Sequence, residues 1–244
     1  MRVFGLIGYP LGHSFSKAYF ERKFQEEHIT DCRFENFPLE QIHLLPDLLH
    51  TQKPEGLAVT IPYKTEVLAF AHTCSPEVAA IGAANCLCIH DAHISAHNTD
   101  IIGFEQSFLP LWKHRQNNAL VLGTGGASKA ICFVLNKLNI DYQLVSRNAQ
   151  PNCITYASLT AEQLEKTPVI INCTPLGTFP DIATCADLPW EGIGPQHYLY
   201  DLVYNPSETL FLRRGRQAGA TIKNGADMLA IQAEANWRLW NNVS

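Results

Sequence analysis

Val121-Leu-Gly-Thr-Gly-Gly-Ala-Ser-Lys-Ala130 lies in the middle of this 244-residue chain and decides how the rest is interpreted. It begins at the end of a short apolar strand, residues 119–122. It leads into apolar residues at helical spacing, namely Ala127, Ala130, Ile131, Val134, Leu135 and Leu138. Small residues at such a turn let backbone N–H groups approach a pyrophosphate at the positive end of the helix. The segment therefore predicts a dinucleotide-binding turn; a tight turn with no ligand is the alternative.

Alternating strands and helices extend on both sides of this turn. After it, apolar strands are expected at 142–145, 169–172 and 198–202, which predicts a parallel sheet with right-handed crossovers. More than one hundred residues precede the turn, enough for a separate domain. There we expect strands at 2–8, 33–37, 57–60, 83–89 and 93–96, and helices from Ser16, at 39–49 and at 101–112. A final helix is expected at 226–240, with Trp237 and Trp240 in the core.

The composition is ordinary for a soluble globular enzyme, with 46% hydrophobic and 17% charged residues. A formal net charge of −5 and the lack of a Lys/Arg run argue against nucleic acid as a partner. No stretch approaches the ~18 consecutive apolar residues that a membrane span needs, and the apolar N-terminus is too short for a signal sequence. We therefore expect a cytoplasmic protein that has no membrane partner.

The eight cysteines are interpreted as reduced, structural thiols. They form no Cys-x-x-Cys pair, and a chain of this length needs no disulfide to stabilise it. The ten histidines show no His-Glu-x-x-His arrangement, so no metal cofactor is expected.

The strand that follows the glycine turn ends in Val145-Ser146-Arg147. A site selective for NAD usually carries Asp or Glu about twenty residues after the glycines, where it binds the ribose 2′-hydroxyl. Ser146 and Arg147 stand there instead, and a guanidinium suits a 2′-phosphate. The pattern favours NADPH over NADH, although an arginine at a strand end is also commonly solvated.

Two segments of the N-terminal half could carry the chemistry. Gly56-Leu-Ala-Val-Thr-Ile-Pro-Tyr-Lys64 places a lysine just beyond a strand, and Asn98-Thr-Asp100 lies at a strand-to-helix junction. Reduction of a ketone leaves charge on the oxygen, and without a metal a lysine ammonium can neutralise it while an aspartate holds the lysine in place. Alternatively, Lys64 is solvated and Asn98 or Asp100 caps a helix. The spacing does not predict their contact, because many residues separate them.

Ser14 and Ser16 flank Phe15 after the first strand. Either serine could simply cap the following helix, or both could bind a substrate carboxylate near the helix N-terminus.

Seven segments, in order, resemble those of the shikimate dehydrogenase family along nearly the whole chain. They are Gly8-Tyr-Pro-Leu-Gly-His-Ser-Phe-Ser16, Val59-Thr-Ile-Pro-Tyr-Lys64, Ile81-Gly-Ala-Ala-Asn85, Asn98-Thr-Asp100 with Gly103, Asn172-Cys-Thr-Pro-Leu-Gly177, Asp201-Leu-Val-Tyr-Asn-Pro206 and Met228-Leu-Ala-Ile-Gln232. One segment alone is weak, but seven in the family's order are specific. After Arg147, Gln150 and Pro151 supply no second basic residue for a 2′-phosphate.

The resemblance implies an α/β enzyme of two domains with the active site in the cleft between them. Residues 1–102 and 226–244 would form a discontinuous α/β substrate domain. Residues 103–225 would form a Rossmann-like, doubly wound dinucleotide-binding domain. The implied activity is the reversible reduction of 3-dehydroshikimate to shikimate with NADP(H), a step toward aromatic amino acids, in a monomer or homodimer.

The resemblance also implies roles for individual residues. Lys64 and Asp100 would be the catalytic pair, and the substrate residues would be Ser14, Ser16, Thr60, Asn85, Tyr204 and Gln232. The cofactor residues would be Gly123, Thr124, Gly125, Gly126, Ala127, Ser146, Arg147, Asn172, Thr174, Leu202 and Gly225. Two alternatives stay open: a quinate/shikimate dehydrogenase that uses NAD(P), and a non-catalytic nucleotide-binding regulator. The presence of both Lys64 and Asp100 counts against the regulator.

Overall fold

The structure is a computed structural model, and it describes residues 1–11, 15–113 and 117–242. The chain divides into two compact units, Met1–Gly103 with Leu229–Ser244, and Phe104–Met228. Each unit contains one six-stranded sheet, so the predicted α/β class is confirmed.

The described elements alternate along the whole chain. The strands are β1 (Arg2–Gly8), β2 (Cys32–Pro38), β3 (Gly56–Val59), β4 (Thr73–Cys74), β5 (Cys86–His90), β6 (His93–His97), β7 (Asn118–Leu122), β8 (Asp141–Ser146), β9 (Cys153–Thr155), β10 (Val169–Asn172), β11 (Tyr198–Asp201) and β12 (Thr221–Lys223). The helices are α1 (Phe15–Glu26), α2 (Leu45–Gln52), α3 (Pro76–Ile81), α4 (Asp100–Phe108), α5 (Gly126–Lys137), α6 (Ala161–Glu165), α7 (Leu210–Gln217) and α8 (Ala226–Trp240).

The sheet of the first unit is mixed, with the strand order β2-β1-β3-β5-β6-β4. Strands β2 and β3 pair in parallel with β1, and β5 runs antiparallel to both β3 and β6. The β5–β6 hairpin turns through Asp91 and Ala92, whose φ angles are 48° and 65°. Two left-handed residues in succession match the twist of the flanking strands in a two-residue hairpin, so the turn fixes the register of this pair.

Aromatic side chains fill one face of this sheet. Phe4, Phe20, Phe34 and Trp240 are buried together, and the Trp240 indole N–H donates to the Leu87 carbonyl at 2.9 Å. A side chain at Gly56 would collide with the Trp240 ring at 2.3 Å, so the strand needs a glycine there. Trp237 is half-buried and contacts Phe4 with ring centroids 5.3 Å apart, which confirms the core packing predicted for both tryptophans.

The sheet of the second unit is wholly parallel, with the order β9-β8-β7-β10-β11-β12. Numbered within the unit, this is 3-2-1-4-5-6, the order of a doubly wound dinucleotide-binding fold. All four residues of β10 and of β11 are buried, as expected for central strands of a parallel sheet covered on both faces. The parallel sheet predicted from the sequence is confirmed.

Several predicted boundaries differ from the structure. The helix expected at 39–49 is a 3₁₀ turn (Ile42–Leu44) followed by α2, which carries Pro46 in its first turn, where a proline fits best. The helix expected at 101–112 ends at Phe108, because the residue before Pro110 disfavours helical geometry. The strand expected at 83–89 begins only at Cys86. The short elements β4, β9, β12, α3, α6 and α7 were not predicted.

All eight cysteines are free, in agreement with the expectation of reduced thiols. Among the described residues, no helix is both long enough and apolar enough to cross a membrane.

Candidate active site

The segment that carries Lys64 is fixed on both sides. Tyr63 is buried and donates its hydroxyl hydrogen to the Leu39 carbonyl at 2.6 Å. The N–H of Tyr63 bonds the Thr60 carbonyl at 3.0 Å, and the Lys64 carbonyl accepts from the N–H of Ala84 at 2.7 Å. These hydrogen bonds hold the backbone of Lys64 in place, so that only its side chain is left to move.

Lys64 and Asp100 form an ion pair in the first unit. Lys64 Nζ lies 2.5 Å from Asp100 Oδ2, although 36 positions separate the two residues. Their side chains are only 15% and 7% exposed. Asp100 is the first residue of α4, where the positive end of the helix favours a carboxylate. The pairing, which the spacing did not predict, is thus present in the folded chain.

Asn85 holds the second oxygen of this carboxylate. Its Nδ2 donates to Asp100 Oδ1 at 2.9 Å, and its Oδ1 accepts from the backbone N–H of Thr99 at 2.6 Å. Because a backbone N–H can only donate, the Thr99 bond fixes which end of the Asn85 amide faces Asp100. Both oxygens of Asp100 therefore have a fixed donor.

Two polar residues of α8 join the group. Gln232 Oε1 lies 3.3 Å from Asn85 Nδ2, and Asn236 Oδ1 accepts from the Thr99 hydroxyl at 2.6 Å. The sequence reasoning named Gln232 but missed Thr99 and Asn236. A signal for Asn236 existed, since residues four apart share one face of a helix and an amide at 236 extends the face of Gln232.

This arrangement is suited to proton transfer at a carbonyl oxygen. The ammonium group of Lys64 can donate a proton, Asp100 holds it in place, and 15% of the Lys64 side chain is exposed. No metal is required for such chemistry. Among the described residues, no three His, Cys, Asp or Glu side chains are grouped so as to hold a metal ion. His93 and His97 are four residues apart but lie on a strand, which separates them by ~14 Å.

The remaining predicted substrate residues are distributed over both units. Ser14 lies outside the described residues. Ser16 is the second residue of α1 and Thr60 follows β3, both half-buried in the same unit as Lys64. Tyr204 follows β11 in the second unit, where burial raises the pKa of its hydroxyl.

The glycine turn lies between β7 and α5, as predicted. Gly123 has a φ of 99°, a conformation that other residues rarely adopt. Gly125 is the N-cap of α5, makes no side-chain cap, and a Cβ built on it would meet nothing within 4 Å. The N–H groups of Gly126 and Ala127 therefore open a helix whose start is not covered by a side chain, and this arrangement fits a pyrophosphate.

Ser146 and Arg147 follow at the neighbouring strand end. Ser146 Oγ accepts from Gln150 Nε2 at 2.6 Å, and the same Nε2 lies 3.3 Å from Thr124 Oγ1. Gln150 thus links the glycine turn to the end of β8. Arg147 is exposed, and within the described part of the chain its guanidinium forms no salt bridge, so this donor set fits a ribose phosphate.

A buried polar group lies at the ends of β10 and β11. Asn172 Nδ2 donates to Asp201 Oδ1 at 2.9 Å, and Asn172 Oδ1 accepts from the Thr174 hydroxyl at 2.6 Å. Burial raises the pKa of Asp201 to about 6, although hydrogen bonds from Thr209, Val203 and Asn172 oppose the shift. The sequence reasoning had named Asn172 and Thr174 but gave Asp201 no role.

Leu202 and Gly225 are tightly packed beside this group. The N–H of Leu202 bonds the Asn172 carbonyl at 3.0 Å. A Cβ at Gly225 would come within 2.2 Å of the Leu202 carbonyl oxygen, so only glycine fits there. Together with the residues above, the second unit brings the predicted cofactor residues to the carboxyl ends of its parallel strands and the segments that follow them.

Comparison with known proteins indicates one family. Residues 6–87 match the family model described as the shikimate dehydrogenase substrate binding domain. A shikimate dehydrogenase (NADP(+)) from Chlorobium phaeovibrioides is 32% identical, with 99% of this chain and 91% of that protein covered.

Solved structures show the same likeness. A chorismate mutase/shikimate 5-dehydrogenase fusion protein from Clostridium acetobutylicum is 34% identical, with a TM-score of 0.86 over 100% of this chain and 92% of that one. Shikimate 5-dehydrogenase from Thermus thermophilus, in complex with NADP(H) and shikimate, is 27% identical, with a TM-score of 0.87 over 99% and 94%. The resemblance first seen in seven short segments is confirmed, and the chain belongs to the shikimate dehydrogenase family.

Proposed function

We propose that this chain catalyses the reversible, NADPH-dependent reduction of 3-dehydroshikimate to shikimate. The observation that carries the proposal is the Lys64–Asp100 ion pair at 2.5 Å, oriented by Asn85, in a chain whose relatives are named shikimate dehydrogenase (NADP(+)). A regulator that only binds nucleotides would have no use for a buried cation held in this way.

Lys64 and Asp100 carry the proton transfer. When bound, NADPH supplies the two electrons and the hydrogen that reduce the ketone carbon. Lys64 gives the proton from Nζ to the carbonyl oxygen as charge develops there, which completes the alcohol. Asp100 keeps Nζ in place for the transfer, and solvent returns the proton to Lys64 afterwards. The reverse reaction uses neutral Lys64 as the base.

Hydrogen-bonding side chains orient the substrate. Ser14 and Ser16 bind its carboxylate, and Thr60, Asn85, Tyr204 and Gln232 bind its hydroxyls. Sites of this kind reject analogues that lack a hydroxyl, because the buried polar groups then stay unpaired. Asn85 has a second task, since its amide also orients Asp100.

The second unit holds the cofactor. The start of α5, with Gly123, Thr124, Gly125, Gly126 and Ala127, takes the pyrophosphate, and Ser146 with Arg147 takes the 2′-phosphate. The nicotinamide end is assigned to the buried group and its neighbours, namely Asn172, Thr174, Leu202 and Gly225.

The division of labour that we propose is the one that the sequence predicts. Residues 1–102 and 226–244 form the substrate domain, and 103–225 the NADP-binding domain. We further propose a cytoplasmic monomer or homodimer that binds no nucleic acid, which size-exclusion chromatography with light scattering, followed by a DNA-binding assay, would test.

The decisive experiment follows the absorbance of NADPH at 340 nm with 3-dehydroshikimate, and repeats the measurement with NADH. The reverse reaction is measured with shikimate and with quinate, each with NADP⁺ and NAD⁺. We expect 3-dehydroshikimate with NADPH, and shikimate with NADP⁺, to give the largest kcat/KM in the two directions. Comparable turnover of quinate would favour the quinate/shikimate dehydrogenase. Binding of NADPH without turnover of either acid would favour the regulator and overturn the proposal.

A further inference from the structure

A ring of four buried side chains connects the Lys64–Asp100 pair to helix α8. Its members, none more than 7% exposed, are Asn85, Thr99, Gln232 and Asn236. Thr99 Oγ1 lies 2.6 Å from Asn236 Oδ1, and Asn236 Nδ2 lies 3.4 Å from Gln232 Oε1. Asn85 Nδ2 lies 3.0 Å from Thr99 Oγ1 and 3.3 Å from that Gln232 oxygen, which closes the ring of contacts. The two protons of Nδ2 go to its two nearer acceptors, Asp100 Oδ1 at 2.9 Å and Thr99 Oγ1.

The number of protons decides the direction of these bonds. The Thr99 hydroxyl has one proton and two amide oxygens near it, Asn236 Oδ1 at 2.6 Å and Asn85 Oδ1 at 3.2 Å. The shorter contact takes the proton, so Thr99 Oγ1 is left to accept from Asn85 Nδ2. Asn85 Oδ1 remains available to the Thr99 backbone N–H at 2.6 Å.

We propose that Asn236 is a positioning residue for the Lys64–Asp100 pair. By accepting the Thr99 proton, it leaves Thr99 Oγ1 to accept from Asn85 Nδ2, and this second contact holds the amide nitrogen where it donates to Asp100 Oδ1. Asp100 then presents Oδ2 to Lys64 in one fixed rotamer. This inference rests on the proposed function, because it assigns Asn236 a part in the same proton transfer.

Loss of Asn236 would change the position of Lys64 in two steps. The Thr99 proton would turn to Asn85 Oδ1, its other acceptor, and Thr99 Oγ1 would then no longer present a lone pair to Asn85 Nδ2. Asn85 would then reorient, and the Asp100 carboxylate would lose a donor and move away from Nζ.

The packing of α8 supports a role beyond stability. Its other buried positions include Met228, Ala233 and Trp240, and an apolar residue at 236 would continue that face without any need for hydrogen-bond partners. A buried amide is costly unless both of its ends are bonded, and Asn236 bonds with both of its ends to members of the ring.

The test compares Asn236→Leu with Asn241→Leu. Asn241 follows α8 and bonds Arg2 and the Trp237 carbonyl, so its loss removes hydrogen bonds of the same kind outside the ring. Asn236→Leu should lower kcat roughly tenfold with KM within about twofold, the effect of one misplaced hydrogen bond on proton transfer. Asn241→Leu should leave both constants unchanged.

A second pair of variants distinguishes loss of the hydrogen bond from misfolding. Thr99→Val removes the hydroxyl with little change of shape and should lower kcat as Asn236→Leu does. Thr99→Ser keeps the hydroxyl and should restore kcat to within about twofold of the parent.

A readout without substrate separates this proposal from the proposed function. Labelling of Lys64 by acetic anhydride, followed by mass spectrometry across pH, reports how firmly the ammonium is held. We expect the labelling midpoint of Asn236→Leu and Thr99→Val at lower pH than that of the parent and of Asn241→Leu. A parent chain that does not reduce 3-dehydroshikimate would overturn the proposed function. The labelling midpoints of Lys64 would still show whether Asn236 positions the ion pair. If Asn236→Leu and Thr99→Val match Asn241→Leu in kcat and in labelling midpoint, the positioning role is wrong.

Discussion

The Lys64–Asp100 group and the glycine turn satisfy their polar atoms in different ways. In the first unit, buried side chains of α4, of α8 and of the segments just before β5 and α4 bond one another beside Lys64. In the second unit, the start of α5 carries no side-chain cap, and Arg147 is exposed. The catalytic pair of the first unit is positioned by the protein's own side chains, whereas the start of α5 is left open to a ligand. A substitution should therefore damage chemistry and folding in the first unit, but mainly ligand affinity in the second.

The largest effect is expected for Lys64→Met, which removes the cation but keeps the length of the side chain. We expect kcat for 3-dehydroshikimate to fall roughly 10³-fold, or about 4 kcal/mol, because the developing alkoxide loses its proton donor. The Kd of NADPH, measured by fluorescence titration, should change less than about twofold, since Lys64 belongs to the other unit.

Asp100 complicates this variant, since Lys64→Met leaves a buried carboxylate without its cation. The double variant Lys64→Met with Asp100→Asn removes both charges and should fold as the parent does, with kcat still low. Full activity in either variant would show that Lys64 is not the proton donor.

The two sites also differ in how far the sequence predicts them. The glycine turn is a contiguous segment with a local function, so its strand, its helix and the unusual φ of Gly123 follow from neighbouring residues. The ion pair joins positions 64 and 100, and spacing alone could not bring them together. The α8 residues next to this pair, Gln232 and Asn236, lie more than one hundred residues further along the chain. Only the family resemblance suggested the contact between Lys64 and Asp100, and it said nothing of Thr99 or Asn236.

The missed strands have a common cause. Strands β4, β9 and β12 are two or three residues long and have little apolar periodicity, so tertiary pairing determines them. Helix α6 is different, because Thr160 and Gln163 form a capping box that the sequence displays. That signal was available and was overlooked.

Asp201 gives the next effect in size and tests whether the second unit has a costly internal group of its own. Burial raises its pKa to about 6 from 3.8, so the folded state binds a proton more tightly than the unfolded state. The contribution of Asp201 to the free energy of unfolding is thus greatest below pH 3.8 and is lost as pH rises to about 6. Asp201→Asn stays neutral, so relative to the parent it should gain about 2 kcal/mol between pH 4.5 and 7.

Urea unfolding of both proteins at several pH values measures this gain. Asp187→Asn is the matched control, an exposed carboxylate of the same unit, and its difference from the parent should not change with pH. A pH-independent difference for Asp201→Asn as well would mean that burial does not raise the pKa of Asp201.

Arg147→Ala should have a smaller effect, and one confined to the cofactor. We expect the Kd of NADPH to rise about tenfold, and the Kd of NADH to stay the same, because only NADPH carries the 2′-phosphate. Arg213→Ala removes an exposed arginine of the same unit and should alter neither value. Equal weakening of both cofactors by Arg147→Ala would place the guanidinium elsewhere on the nucleotide.

The smallest effect is expected for Gln150, whose amide joins Thr124 to Ser146 at the ribose side. Gln150→Arg adds the second positive charge that this segment lacks, but it also removes the link between the two loops. The charge should tighten NADPH about threefold relative to Gln150→Met, which removes the link without adding charge. NADH should bind Gln150→Arg and Gln150→Met equally, since it has no phosphate there. If both variants bind NADPH with the same Kd, the charge at residue 150 does not reach the 2′-phosphate. The ribose end of the second site would then be as open to solvent as the start of α5.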